Sequence, residues 1–364
     1  MTLEKFKECI QIDFPNIITN EWLDKIEETD NQLYDMISRW GFCYKDMSKH
    51  DLSNLDINHL NKLTFNSSTI WPSADKMPKD FNPQKLLEER KNPMMGIMDL
   101  HNKGITGKGV IVATIDSGYQ GIEHVEFAGS KIKAIDVCEN PEYHFHAEGV
   151  LANLCGQNVG IAPEVKVYHY NTQIGGSKRD LTILKALKDI LNKVENGINI
   201  RAVNISGALC DNKELKSKVI NIVEKLESYN CEVIDSAIFG KTFTNVEYGI
   251  NSDIKNKEDV DFAKWANKDH DLKKVGIVCG GKVVPEFCNN DGYKYEQESC
   301  YSWTIPQAVG LYALCLQVNK NLTWKDFENM AKESAITNEK GIKVVNPKGI
   351  VKLAEKVDEL IVDI

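Results

Sequence analysis

From about residue 97 onward, short continuous apolar runs alternate with amphipathic stretches. Val110–Ile115 (VIVATI) is such a run, as expected for a strand buried on both faces. Gly149–Leu154 reads as helix and Val165–Tyr170 (VKVYHY) as strand. Leu181–Glu195 is an amphipathic helix, Ile200–Ile205 a strand, and residues 212–228 a helix. Glu232–Ile234 and Val275–Cys279 read as further strands. This alternation points to an α/β architecture: three layers, with helices on both faces of a mostly parallel sheet. In such sheets chemistry gathers at the carboxyl ends of the strands.

Residues 1–62 read as a polar, helical N-terminal extension. Trp22, Leu23, Ile26, Leu33, Ile37 and Trp40 recur at helical spacing and mark one apolar face. Gly41 is placed to stop that helix, and a weaker helical stretch covers about 50–62. Residues 63–98 carry Pro72, Pro78, Pro83 and Pro93 and read as an extended arm. The α/β body is expected over 99–364.

Composition narrows the function classes. Lys and Arg number 44 against 53 Asp and Glu, a net charge of −9. A broad nucleic-acid or anionic-membrane surface is therefore not expected. The start, MTLEKFKECIQIDF, has acidic residues and no apolar core, unlike a signal peptide. The longest apolar run, Ala308–Val318, falls short of the ~20 residues that span a bilayer. Ten cysteines are scattered without CxxC spacing, several in apolar runs. They fit buried free thiols in a reducing compartment, and so a cytoplasmic protein.

Three residues fall where this architecture puts chemistry. Asp116 ends the apolar run in VIVATIDSG. Alone it reads as a turn or capping Asp. His146 precedes an apolar helical stretch in HFHAEGVLANL; alone it reads as a loop histidine. With His144 and Cys138 it offers three zinc ligands, but no fourth is evident. Ser302 stands before Pro306 and a long apolar helix, and alone it reads as a helix cap. Two glycine-rich segments fail as nucleotide loops. Gly104, Gly107 and Gly109 precede the strand, and Gly240-Lys241-Thr242 has Asp235 where a Walker loop needs glycine.

Taken in order, these segments resemble the boxes of the subtilisin-like serine proteases, or subtilases. GKGVIVATIDSG is similar to their Asp box, an apolar strand ending in Asp-Thr/Ser-Gly. HAEGVLANL is similar to the His box H-G-T-H-V-A-G, and GIAPEVKVY to the segment that follows it. AVNISGA resembles the strand end V-I-N-M-S-L-G that lines the substrate cleft. SWTIPQAVG is similar to the Ser box S-M-A-S-P-H-V-A-G, with Ser302, Pro306 and Gly310 in register. The resemblance spans about residues 93–354 and is closest to cytoplasmic members from low-GC bacteria.

The resemblance implies a subtilisin-like fold with a catalytic domain over 99–364. It implies an intracellular serine endopeptidase acting on a peptide or protein, with no cofactor and no metal. Ser302 would be the nucleophile, His146 the general base and acid, and Asp116 the orienting carboxylate. Ser206, Gly207 and Ala208 would line the cleft and pair with an extended substrate backbone. The calcium loop of extracellular members is not expected, since only Gly156-Gln157-Asn158-Val159 separates Cys155 from GIAP.

The chain also departs from the pattern. The His box has Ala-Glu-Gly after its His, and Cys300-Tyr301 replaces Gly-Thr before the Ser. The oxyanion Asn of the family is missing. An ungapped reading puts Phe239 near its position, and Asn245 fits only with a gap. These departures raise the alternative of a catalytically impaired subtilase fold used as a peptide-binding or regulatory module.

Overall fold

The computed structural model describes residues 3–359, apart from 94, 120, 122, 142, 174–175, 264–265, 267 and 298–299. The N-terminal part holds α1 (Leu3–Cys9), α2 (Asn20–Thr29), α3 (Asn31–Trp40) and the single turn α4 (Ile57–Leu60). The apolar face expected on one helix is thus divided, at Asp30. Its backbone N–H closes α2 onto Ile26, and its carboxylate accepts from the Leu33 N–H and caps α3. A short carboxylate competes for backbone donors in this way, which favours a break over a continuous helix.

The arm is less extended than its prolines suggest. It contributes β1 (Phe65–Asn66), and Asn82 caps α5 (Pro83–Glu89). Pro83 stands in the first turn, where its missing N–H would have had no helical partner. A five-residue helix, α6 (Ile97–His101), leads into the body.

The body then runs β2 (Ile111–Asp116), β3 (Lys131–Asp136), α7 (Phe145–Cys155), β4 (Lys166–Asn171), α8 (Gly176–Glu195) and β5 (Ile200–Ile205). It continues through α9 (Lys213–Ser228), β6 (Glu232–Ile234), α10 (Ser236–Thr242), β7 (Phe243–Tyr248) and β8 (Val260–Phe262). After α11 (Lys268–Asp271) come β9 (Val275–Gly280), β10 (Lys282–Pro285), β11 (Tyr293–Glu296) and α12 (Tyr301–Val318). The last elements are α13 (Trp324–Ser334), β12 (Ile336–Thr337), β13 (Lys343–Val344) and α14 (Pro347–Glu359).

Five strands form a parallel sheet in the order β3-β4-β2-β5-β6. Side chains alternate across it, as the period of a strand requires. Ala113 and Ile115 of β2 pack with Ile183, Leu187 and Val219 of α8 and α9. Val112, adjacent to Ala113, packs on the opposite face with residues of α7 and α12 such as Leu151 and Leu311. The three layers expected from the sequence are therefore present. A second sheet runs β12-β13-β9-β7-β8, and a third β1-β11-β10.

Two features position the site. The strand order reverses at β2, which lies between β4 and β5, so a crevice opens at its carboxyl end. The arm is also fastened to the body. Phe65 stacks on Tyr295 across the β1–β11 pair. The buried guanidinium of Arg90 donates to the carbonyls of Gly249, Ile250, Ser252 and Gly281.

Candidate active site

Asp116 is the last residue of β2 and stands opposite Asn171 of β4. Its carboxylate is 7% exposed and accepts from the backbone and hydroxyl of Ser117. His146 sits in the first turn of α7, whose N-cap is His144. A backbone bond from His144 to Gly118 ties the helix start to the loop after β2. That junction brings His146 Nδ1 to 2.7 Å from Asp116 Oδ1.

The pair perturbs both groups. Burial alone would raise the Asp116 carboxyl, but the charge and hydrogen bond of His146, with His169 and the Ser117 N–H, hold it below the ordinary range. Burial alone would lower the His146 imidazole. The charge of Asp116, its hydrogen bond and the charge of Glu296 outweigh that and raise it.

Ser302 is the second residue of α12, whose N-cap is Cys300. The helix is buried nearly all round, as its unbroken apolar composition requires. Pro306 lies inside it rather than in its first turn. Proline lacks the N–H that would bond the carbonyl four residues back, that of Ser302. The Ser206 hydroxyl donates to that carbonyl instead, at 3.1 Å. In return the Ser302 hydroxyl donates to the Ser206 carbonyl at 3.3 Å. This reciprocal pair fixes α12 against the end of β5.

His146 and Ser302 line one open cleft of about 670 Å³, together with Trp40, Lys294, Glu296 and Trp303. A smaller pocket of about 200 Å³ lies on the other side of His146 and is lined by Asp116, Arg179 and Ser206. Among the described residues, Ser302 is bonded to Ser206 and not to His146. Catalytic hydrogen bonds in unliganded sites are often incomplete in this way.

Two departures from the subtilase boxes meet in space. Gly149 of α7 stands where the His-box pattern has its second His, and Trp303 where the Ser-box pattern has Met. A Cβ on Gly149 would overlap the Trp303 ring. The indole fills the room left by the missing side chain and lies 5.3 Å, centroid to centroid, from the His146 ring. Neither residue draws attention alone; the signal is that a small-for-large and a large-for-small change occur together in one chain.

The remaining expectations fare differently. Ser206 lines the smaller pocket. Gly207 and Ala208 have their carbonyls engaged within the protein, by the Ser236 N–H and by Arg179. The Gly207 N–H bonds Ile205. Both carbonyls and the Gly207 N–H are therefore already engaged, through folded contacts that no local sequence pattern records. Phe239 is buried against Phe243 and Tyr301 and has no polar donor to offer. Asn245 is buried in β7 and accepts from the Thr304 hydroxyl at 2.8 Å. Neither stands in for the oxyanion Asn.

His144 and Cys138 also point elsewhere than to a shared ion. The His144 ring caps α7, and the Cys138 thiol donates weakly to the Asn171 carbonyl. Among the described residues no cluster of three metal-ligating side chains occurs. No helix of those residues is long and apolar enough to cross a membrane. Burial raises the Cys300 thiol, which keeps it protonated and a poor nucleophile beside Ser302.

Compared with protein-family models and with curated proteins, the sequence matches none. Solved structures do match. The PatG macrocyclase domain aligns at TM-score 0.50 and 14% identity, over 72% of this chain and 95% of that one. The prenylagaramide maturation protease PagA aligns at TM-score 0.50 and 18% identity, over 71% of this chain and 98% of that one. A structure of the subtilase cytotoxin SubAB aligns at TM-score 0.51 and 11% identity, over 76% and 98%. At these identities the likeness is one of fold, and about a quarter of this chain lies outside it. With the parallel sheet, its helical layers and the crevice at β2, these matches establish that the chain has the subtilisin-like fold.

Proposed function

We propose that the protein is a serine endopeptidase that cleaves peptides or proteins through Asp116, His146 and Ser302. The observation that carries this reading is the 2.7 Å His146–Asp116 bond at the switch point of the sheet, with Ser302 opening a helix in the same cleft. The ring nitrogen held by Asp116 is fixed as the donor, so the other is free to act as base. Ser302 turns from the Ser206 carbonyl toward that nitrogen and attacks the substrate carbonyl. Its proton passes to His146, and the C–N bond breaks as His146 returns the proton to the leaving amine. Water then repeats the cycle on the acyl-enzyme ester and releases the acid.

The backbone N–H of Ser302, in the first turn of α12, is suited to the developing oxyanion. A maturation protease and a macrocyclase domain are among the proteins of this fold named above, which agrees with a peptide substrate. The ten free thiols agree with a cytoplasmic setting and with kinship to cytoplasmic subtilases.

The test is cleavage of a denatured protein and a peptide library by the wild type, Ser302→Ala and His146→Ala. The reading expects products from the wild type and at least a 10³-fold loss in either variant. Equal product from Ser302→Ala would reject it.

A second reading, a peptide-binding module with little turnover, is favoured by one observation. Phe239 and Asn245 are both buried, and neither lines the cleft that holds Ser302 to offer a second oxyanion donor there. Loss of one such donor costs about 10²–10³ in turnover. This reading expects the cleft to bind peptides that it does not cut.

A further inference from the structure

The N-terminal extension forms part of the cleft. Trp40, the last residue of α3, packs edge-on against Phe145 at 5.0 Å, one residue before His146. Phe6 of α1 wedges beside both, 4.7 Å from Trp40 and 5.9 Å from Phe145, and reaches Phe287 of the body at 5.5 Å. The Tyr44 hydroxyl donates to the Phe287 carbonyl at 3.0 Å. The ammonium of Lys294 lies 3.9 Å from the centroid of the Trp40 ring. Contacts from several elements therefore hold Trp40 in place, and its ring is part of the wall facing Ser302.

The wall has a definite chemistry. Its aromatic lining residues are Trp40, Phe145, Tyr301 and Trp303, the last almost wholly buried. Its buried charges cancel: Lys294 donates to Glu296 at 2.6 Å, both below 10% exposed. Arg39 stands at the rim, ion-paired with Asp35 and mostly exposed. A cationic side chain entering here would meet Arg39 and Lys294, and an anionic one would meet Glu296. Lys294 and Glu296 satisfy each other, so either entering charge loses water with no free buried partner, and an anionic side chain gains only the solvated Arg39 at the rim, which is worth little. A large neutral side chain would bury its surface on the rings.

From this we infer that Trp40 and Arg39 make the N-terminal extension a specificity element acting in cis. It selects peptides that place an aromatic or large aliphatic residue beside the bond held at Ser302. The inference takes the cleft around Ser302 as the substrate site. It does not require turnover.

The experiment separates the two. Peptide binding is measured by calorimetry on full-length Ser302→Ala, using a peptide series with Phe, Leu, Ala, Lys or Glu at each position in turn. One position is expected to favour Phe and Leu over Ala, Lys and Glu by about tenfold or more, the order of one well-filled apolar contact. Adding Trp40→Ala should cut that preference at least fivefold, and Trp40→Phe should keep most of it. Adding Arg39→Glu, at a mostly exposed position, should improve the Lys peptide several-fold relative to the Glu peptide. No position with a large-apolar preference, or an Arg39→Glu variant with unchanged ranking, would overturn the inference. A Ser302→Ala chain that ranks peptides as expected, from a wild type that cuts none, would reject the endopeptidase and leave the specificity wall standing.

Discussion

At the scale of single residues, the site is a balance between burial and a few short contacts. His146 is 28% exposed and its imidazole is raised by Asp116, so it stays protonated to higher pH than a free histidine. A general base must be neutral, so the acid limb of kcat/KM should lie above the ordinary imidazole value near 6.5. Asp116→Asn removes the charge that raises the imidazole. It should move that limb downward and lower kcat by about 10⁴-fold, as loss of the orienting carboxylate does in such triads. A pH–rate profile of both proteins checks the sign. The Gly149–Trp303 contact makes a second prediction at this scale. Gly149→Ala should cost about 1–3 kcal/mol in urea denaturation, as overpacking does. Pairing it with Trp303→Met, which removes the ring the new methyl would strike, should recover most of the loss. A double variant as unstable as the single one would show that the contact is not the cause.

At the scale of elements, α7 and α12 carry His146 and Ser302 while the arm braces the body. Arg90 connects the end of α5 to four backbone carbonyls that lie between β7 and β10. Arg90→Met keeps the stem but leaves those buried acceptors without their charged donor. The expected cost is about 3 kcal/mol or more, measured by chemical denaturation. The loss should reach the cleft, because Gly281 leads into β10, and β10 pairs with β11, which carries Lys294 and Glu296. The element boundaries also show what a sequence can reveal. Ile200–Ile205 and Glu232–Ile234 are legible to the residue, since short, mostly apolar runs between amphipathic helical stretches mark buried parallel strands even where Arg201, Asn204 and Glu232 interrupt them. The N-terminal helix was not, because hydrophobic spacing continues through Asp30 while the hydrogen bonds do not. The helical turn in the arm was hidden by prolines, one of which starts it.

At the scale of the whole molecule, the α/β alternation was legible because one core must bury both faces of one sheet. The boxes that recur in order fall, in the fold, at the end of β2 and the starts of α7 and α12. What stayed hidden depends on distant parts meeting. Trp40 reaches Phe145 and Lys294 only after the extension docks, and the carbonyls of Gly207 and Ala208 are occupied only once α8 and α10 are in place. The central claim, that this assembled cleft activates Ser302 as a nucleophile, is tested most directly by a fluorophosphonate probe with peptide mapping of the labelled chain. The account predicts one adduct, on Ser302, that disappears in Ser302→Ala and falls sharply in His146→Ala. A folded wild-type protein with no adduct on Ser302, or one labelled equally well without His146, would contradict it.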